Sequence, residues 1–241
     1  MSRSAAALDE PDSLGVIDVL VQGARDAMAA FASADQALVD DAVRALAWSL
    51  YRPEHARGLA EIAVADTGFG NVADKTAKNQ RKTFGTLRDL LRVRTVGVIE
   101  EDAARGIVKY AKPVGVVGAI TPSTNPAATP VNKAMMAIKG RNAVIIAPSP
   151  AGWTTTARAV DFMRAGLAGM DLPVDLVQVV PQPVDRARTQ ALMCAVDLIV
   201  CTGSQTNVRE AYRSGRPAIG VGAGNVPVIV DESADLAEAA A

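Results

Sequence analysis

The sequence predicts an α/β fold, a doubly wound parallel sheet of Rossmann type preceded by an N-terminal helical region. Three observations carry this expectation. From Val114 onward, five short apolar runs read as buried strands. The four stretches between them are each long enough for the crossover helix that parallel neighbours require. Before residue 94 the apolar residues recur mainly at helical spacing instead.

In chain order, residues 1 to 15 are polar, contain Pro11 and read as a flexible arm. Residues 16 to 94 form the helical region. Ile17, Leu20, Val21, Ala24 and Met28 mark one amphipathic helix, and Val39, Ala42, Val43, Leu46 and Leu50 a second. Ser33 and Gln36 have the spacing of a capping box at the start of that second helix. Pro53 opens a third helix running to about Asp66, Thr67-Gly68-Phe69-Gly70 breaks it, and a longer polar helix covers about Asn71 to Leu91. Residues 95 to 112 form a β excursion, with Val96, Val98 and Ile99, then Ile107 and Val108, around a charged turn at Glu100 to Arg105.

Residues 113 to 241 then make up the α/β domain. Its predicted strands are Val114 to Ile120, Ala143 to Ala147, Leu176 to Val180, Leu198 to Cys201 and Val226 to Val230. The predicted crossover helices are Pro126 to Lys139, Thr154 to Ala168, Arg186 to Cys194 and Gln205 to Arg213, with Val160, Met163 and Leu167 on the buried face of the second.

Composition narrows the functional classes. A chain of 241 residues buries roughly 70–75% of its unfolded surface, enough for a substantial core. Hydrophobic residues make up 49% and aromatics only 4%, so small aliphatic side chains must fill it. A net charge of -1 provides no field to draw in nucleic acid or anionic lipid, so any anion must be recognised locally. Cys194 and Cys201 have neither disulfide nor metal-ligand spacing, and His55 is the single histidine, so no metal site is expected. No stretch approaches the roughly 20 apolar residues of a membrane span, and MSRSAAALDEPDS lacks the apolar centre of a signal peptide. A cytoplasmic location is the expectation.

Ligands of open parallel sheets bind beyond the carboxyl ends of the strands, which draws attention to three turns. The first, Ile120-Thr121-Pro122-Ser123-Thr124-Asn125-Pro126, presents three hydroxyls and a carboxamide before a helix. The Asn side chain there can either donate to a developing oxyanion or cap the helix. In the second, Thr202-Gly203-Ser204 joins a strand to a helix N-terminus, where N–H groups and hydroxyls can meet a phosphate or simply close a turn. The third, Gly220-Val221-Gly222-Ala223-Gly224-Asn225, offers bare backbone for close approach or serves as a connector.

Taken together, ITPSTNPAATPVNKAMMAIKGRNAVIIAPSP at 120–150, VDLIVCTGS at 196–204 and SGRPAIGVGAGNVPVIVDESADL at 214–236 resemble the aldehyde dehydrogenase superfamily, and more narrowly its CoA-acylating branch. The resemblance runs from about Val16 to the last residue. It implies oxidation of an aldehyde through a cysteine thiohemiacetal, hydride transfer to NAD or NADP, and release of the acyl group to CoA as co-substrate. It also implies that residues 113 to 241 bind a dinucleotide, with Asn125 as the oxyanion-hole amide. Thr202, Gly203 and Ser204 would be the cofactor-phosphate turn, with Ile120, Thr121, Pro122, Ser123, Ser149, Val221 and Gly222 also beside the cofactor. Val221 stands where hydrolytic members carry a glutamate base, so a thioester here would persist until a thiol arrives.

In the family the catalytic cysteine lies downstream of the ESADL segment. The expectation is therefore that this chain is the NAD(P)-binding portion, without the catalytic domain and the C-terminal strand through which family members form homo-oligomers. On its own it should not turn over aldehyde. Cys201 closes an apolar strand, Cys194 ends a helix without a nearby base, and His55 reads as a surface or packing residue. The alternative is a non-catalytic nucleotide-binding module, or a subunit completed by a second chain. A further expectation is that apolar surface left uncovered makes the isolated chain prone to associate. The choice between NAD and NADP stays open: no acidic residue follows the second strand at Ala147-Pro148-Ser149-Pro150, and Arg141 or Arg158 could meet a 2′-phosphate.

Overall fold

A computed structural model describes residues 13–224 and 227–240. Helices α1 (Ser13–Phe31), α2 (Gln36–Tyr51), α3 (Pro53–Thr67) and α4 (Val72–Leu90) come first. The antiparallel hairpin β1 (Gly97–Asp102) and β2 (Ile107–Ala111) follows. The remainder alternates as β3 (Val116–Thr121), α5 (Ala128–Lys139), β4 (Ala143–Pro148), α6 (Trp153–Ala168), β5 (Val177–Val179), α7 (Arg186–Ala195), β6 (Leu198–Thr202), α8 (Gln205–Arg213) and β7 (Ala218–Val221), with the short α9 (Leu236–Ala239) last. Residues 13–15 are already helical, and the rest of the predicted arm lies outside the described residues.

The local chemistry explains the helix ends. Pro53 begins α3, its fixed φ already suited to a helix, and Gly68 ends it in the left-handed region at φ 66°. Asn71 caps α4 by accepting the Asp74 N–H at 2.9 Å. At α2 the expected Ser33 cap is corrected: the helix starts later, and Asp35 accepts the Leu38 N–H at 2.8 Å. The Gln36 carboxamide is committed elsewhere, its oxygen accepting the Thr95 and Val96 N–H groups at 2.8 and 3.1 Å.

The five-stranded sheet is parallel throughout, in the order β5-β4-β3-β6-β7. The connection reverses direction between β3 and β6, and right-handed crossovers then put α5 and α6 on one face and α7 on the other. Helix α2 packs outside α5 and α6, whereas α1 packs against α7. Every residue of β3 and β4 is buried, which is why both read as continuous apolar runs. Val160, Met163 and Leu167 are buried as their spacing predicts.

Two strand assignments are corrected. The fifth strand is Ala218–Val221, and residues 227–230 are not in a strand; Val226 lies outside the described residues. Val228 and Ile229 are 76% and 92% exposed, and the run has no strand neighbour among the described residues. In the hairpin, β1 continues through Glu100 to Asp102 behind a bulge, so the charged turn is shorter than predicted.

The amino end of the sheet is closed by side chains that accept three successive backbone N–H groups. Asn142 Oδ1 accepts the Val114 and Gly115 N–H groups at 2.7 and 3.1 Å. Asp197 Oδ2 accepts the Val116 N–H at 2.8 Å, and its two oxygens take both Arg25 guanidinium nitrogens of α1 at 3.1 Å. Burial pushes the Asp197 pKa up, but these bonds outweigh it and hold the carboxyl below its usual range. Gly115 sits at φ 123°, and a Cβ there would lie 2.2 Å from Asp197 Oδ2, so no other residue fits.

Candidate cofactor site

At the opposite end the strands finish level. Thr121 pairs with Pro148, Ile120 with Cys201, and Thr202 with Val221. Two further bonds carry the ladder into the turns, Ser149 N–H to Thr121 O at 2.9 Å and Gly203 N–H to Val221 O at 3.1 Å. The turns diverge just beyond, at the point where strand order reverses, and leave a cavity of about 780 Å³, a volume within the ordinary range for ligand sites.

Ile120, Thr121, Pro122, Ser123, Ser149, Thr202, Gly203, Ser204 and Gly222 all line this single cavity. The turns after β3 and β6 therefore share one crevice. Asn125 and Val221 do not line it. Asn125 lies half-buried at the end of the turn, where its carbonyl accepts the Thr129 N–H at 3.4 Å. Val221 ends the edge strand with an exposed side chain.

The cavity wall carries unused hydrogen-bonding capacity. Thr121 is buried, and its hydroxyl has no partner among the described residues. At the start of α8, Ser204 Oγ accepts the Asn207 N–H at 3.2 Å. The preceding Gln205 and Thr206 N–H groups are left without partners within the helix, at its positive end. No atom of the described residues lies within 4 Å of where a Gly203 Cβ would be, so the backbone there is open to the crevice.

The turn at 122–125 is braced from behind. Thr156 Oγ1 donates to Pro126 O at 2.8 Å, and Lys75 Nζ to Thr124 O at 3.5 Å. A Cβ on Gly152 would fall 2.8 Å from Pro126 Cβ, so glycine lets the loops after β3 and β4 touch. Beneath the cavity, Lys133 of α5 donates to Ile120 O at 2.7 Å and Val200 O at 2.6 Å, tying β3 to β6. Burial pushes its pKa down to about 8, against an opposing pull from Cys201.

Sequence reasoning missed Asp185, Arg186, Thr189, Gln190, Met193, Thr206, Asn207 and Glu210, which complete the wall from α7, α8 and their caps. A strand-to-helix junction signals such residues only once the neighbouring helix is known. Neither arginine considered for a 2′-phosphate lines the cavity: Arg141 donates to Ala32 O at 2.8 Å, and Arg158 lies 4.5 Å from the Phe162 ring centre. His55 stacks on that ring at 3.7 Å, and its Nδ1 is 2.8 Å from Ser49 O, as a packing residue would be.

A family model described as aldehyde dehydrogenase family matches residues 15–241. The chain belongs to the aldehyde dehydrogenase family. It is 58% identical over 225 residues to a sulfoacetaldehyde dehydrogenase (acylating) of Cupriavidus necator, covering 93% of this chain and 46% of that protein. An acetylating aldehyde dehydrogenase from Geobacillus thermoglucosidasius superposes with a TM-score of 0.86 at 38% identity, over 94% of this chain and 50% of that one. An engineered glycolyl-CoA reductase with bound NADP+ gives a TM-score of 0.77 at 28% identity, over 93% and 50%. The chain thus spans about half the length of the relatives it matches.

Neither cysteine lines the cavity. Cys201 is wholly buried in β6, where burial pushes its thiol up and the Lys133 charge only partly offsets this. Cys194 is exposed on α7. Among the described residues no cluster of potential metal ligands occurs, and no helix is long and apolar enough to cross a membrane.

Proposed function

We propose that this chain binds NAD or NADP in the crevice above β3 and β6, as the cofactor portion of a CoA-acylating aldehyde dehydrogenase. One observation supports the reading above the others: the unpartnered Thr121 hydroxyl and the open N-terminus of α8 face the same cavity at the reversal of the sheet. The residues fit the group. Thr202, Gly203 and Ser204 would hold its phosphates on the α8 N–H groups, with Ile120, Thr121, Pro122, Ser123, Ser149 and Gly222 along its length. When bound, the group supplies a hydride acceptor.

In the parent reaction an aldehyde, CoA and NAD(P)+ would give an acyl-CoA, NAD(P)H and a proton. Asn125, held by the braced 122–125 turn, would donate its amide to the oxyanion that develops on the aldehyde oxygen. Val221 provides no base for water, so hydrolysis does not compete with the incoming thiol. Sulfoacetaldehyde, the substrate named for the Cupriavidus necator relative, is the first aldehyde to test. The reading carries a cytoplasmic location and a homo-oligomeric parent enzyme as further expectations, to be checked by cell fractionation and by light scattering.

Titration of the purified chain with NADH and NADPH, read by nicotinamide fluorescence, tests the assignment: saturable binding is expected, and its absence with both would end it. With both cysteines away from the cavity, the same chain mixed with aldehyde, CoA and NAD(P)+ should form no reduced cofactor above background. Catalytic turnover would show that a group in this chain serves as nucleophile.

A further inference from the structure

Lys75, in the first turn of α4, is only 6% exposed, and its ammonium reaches the Thr124 carbonyl at 3.5 Å. That contact is longer than an ordinary hydrogen bond. The carboxylates nearest in sequence are committed elsewhere. Asp74 Oδ2 accepts from Asn71 Nδ2 at 2.7 Å, and Asp66 Oδ2 accepts the Thr155 N–H and hydroxyl at 3.1 and 2.9 Å. Burial, and after it the charge of Lys78 on the same helix, push the Lys75 pKa down. A buried cation is costly unless an anion meets it, and the described residues supply none here. Thr124 itself lines the cavity, and the next residue is Asn125, whose amide is proposed above to receive the aldehyde oxygen. Adjacent Cα atoms are about 3.8 Å apart. An ammonium held at the Thr124 carbonyl and an amide borne by Asn125 therefore lie within the span of one small molecule.

We propose that Lys75 selects the aldehyde: its ammonium takes the anionic end of a short aldehyde while the Asn125 amide takes the carbonyl oxygen. The inference rests on the acylating aldehyde dehydrogenase reading above and names the group that would choose its substrate. Sulfoacetaldehyde has the required form, a carbonyl and a sulfonate separated by one methylene. The lysine stem is flexible and its hold on Thr124 weak, so the ammonium can turn from that carbonyl to a sulfonate oxygen. In so sheltered a position the pair is screened less by salt than it would be at the surface. A neutral aldehyde of the same size gains nothing from the cation.

Isethionate, the alcohol corresponding to sulfoacetaldehyde, and its neutral isostere methylsulfonylethanol serve as probes that do not react with lysine. The test is a titration of the 241-residue chain with each at one fixed ionic strength, read by the amide NMR signals of Thr124 and Asn125. Isethionate should bind about tenfold tighter than the sulfone, a typical effect of one charge-assisted hydrogen bond. Lys75→Met, which keeps the volume and removes the charge, should abolish that preference by weakening isethionate alone. Lys82→Gln, exposed on the same helix, should change neither probe. Equal wild-type affinities would overturn the proposal before any variant is made, and so would a preference that survives Lys75→Met. A turn merely loosened by the loss of Lys75 would weaken both probes alike, which would also overturn it. Titration of the same wild-type sample with NADH keeps the two readings apart. If NADH binds and isethionate is not preferred, the inference alone is lost; if NADH fails as well, the cofactor assignment goes with it.

Discussion

The two ends of the parallel sheet are built on opposite principles. At the amino end, Asn142 and Asp197 accept the Val114, Gly115 and Val116 N–H groups, and Arg25 is fixed by both oxygens of Asp197. At the carboxyl end, the Thr121 hydroxyl is buried without a partner among the described residues, and the first turn of α8 opens onto a cavity. Buried polar groups are normally satisfied, and the exceptions concentrate where something else is meant to bind. The contrast separates the part of the sheet that secures the fold from the part kept for a ligand.

Gly115→Ala gives the largest expected effect, because the new methyl would overlap Asp197 and the backbone would remain at positive φ. A loss of about 3 kcal/mol in urea denaturation is expected. A loss below about 1 kcal/mol would show that the amino end yields more easily than its geometry implies.

Lys133 supplies a pH test at the other end. Its pKa of about 8 in the fold lies below the unfolded value of 10.5, so between these values the unfolded chain binds more protons. Stability therefore rises with pH across that window, as the penalty of a buried charge, complete below pH 8, is relieved. Denaturation of wild type and Lys133→Met at several pH values isolates the effect. The difference should grow in favour of wild type on going alkaline, and parallel curves would refute the assignment.

Thr121→Val is the mildest and the most discriminating. No hydrogen bond to the described residues is lost, so stability should change by less than about 0.5 kcal/mol. Cofactor affinity should fall about tenfold if the hydroxyl serves the ligand. A variant as tight as wild type would remove that hydroxyl from the site.

Much of this architecture was legible in the residues, for physical reasons. The buried strands announced themselves because both faces of β3 and β4 are covered, and the helices because they alternate with them. Thr121, Ser149 and Thr202-Gly203-Ser204 could be singled out because strand-to-helix turns at the carboxyl edge are where ligands bind. The α2 cap was misplaced because Ser33 and Asp35 are both competent caps, and only the Gln36 bonds to Thr95 and Val96 decide between them. The run at 228–230 was as apolar as a strand, but apolarity does not provide a neighbour to pair with. Arg186 and Glu210 were invisible for a related reason: 24 positions apart in the chain, they meet only because α7 and α8 flank the same crevice.

Lys133 fastens two carbonyls of adjacent strands at the point where the chain changes direction. The width of the crevice is thereby set before any guest arrives, and little ordering is left to be done on docking. Substitutions along the rim can accordingly retune what is recognised without reshaping the room in which recognition happens.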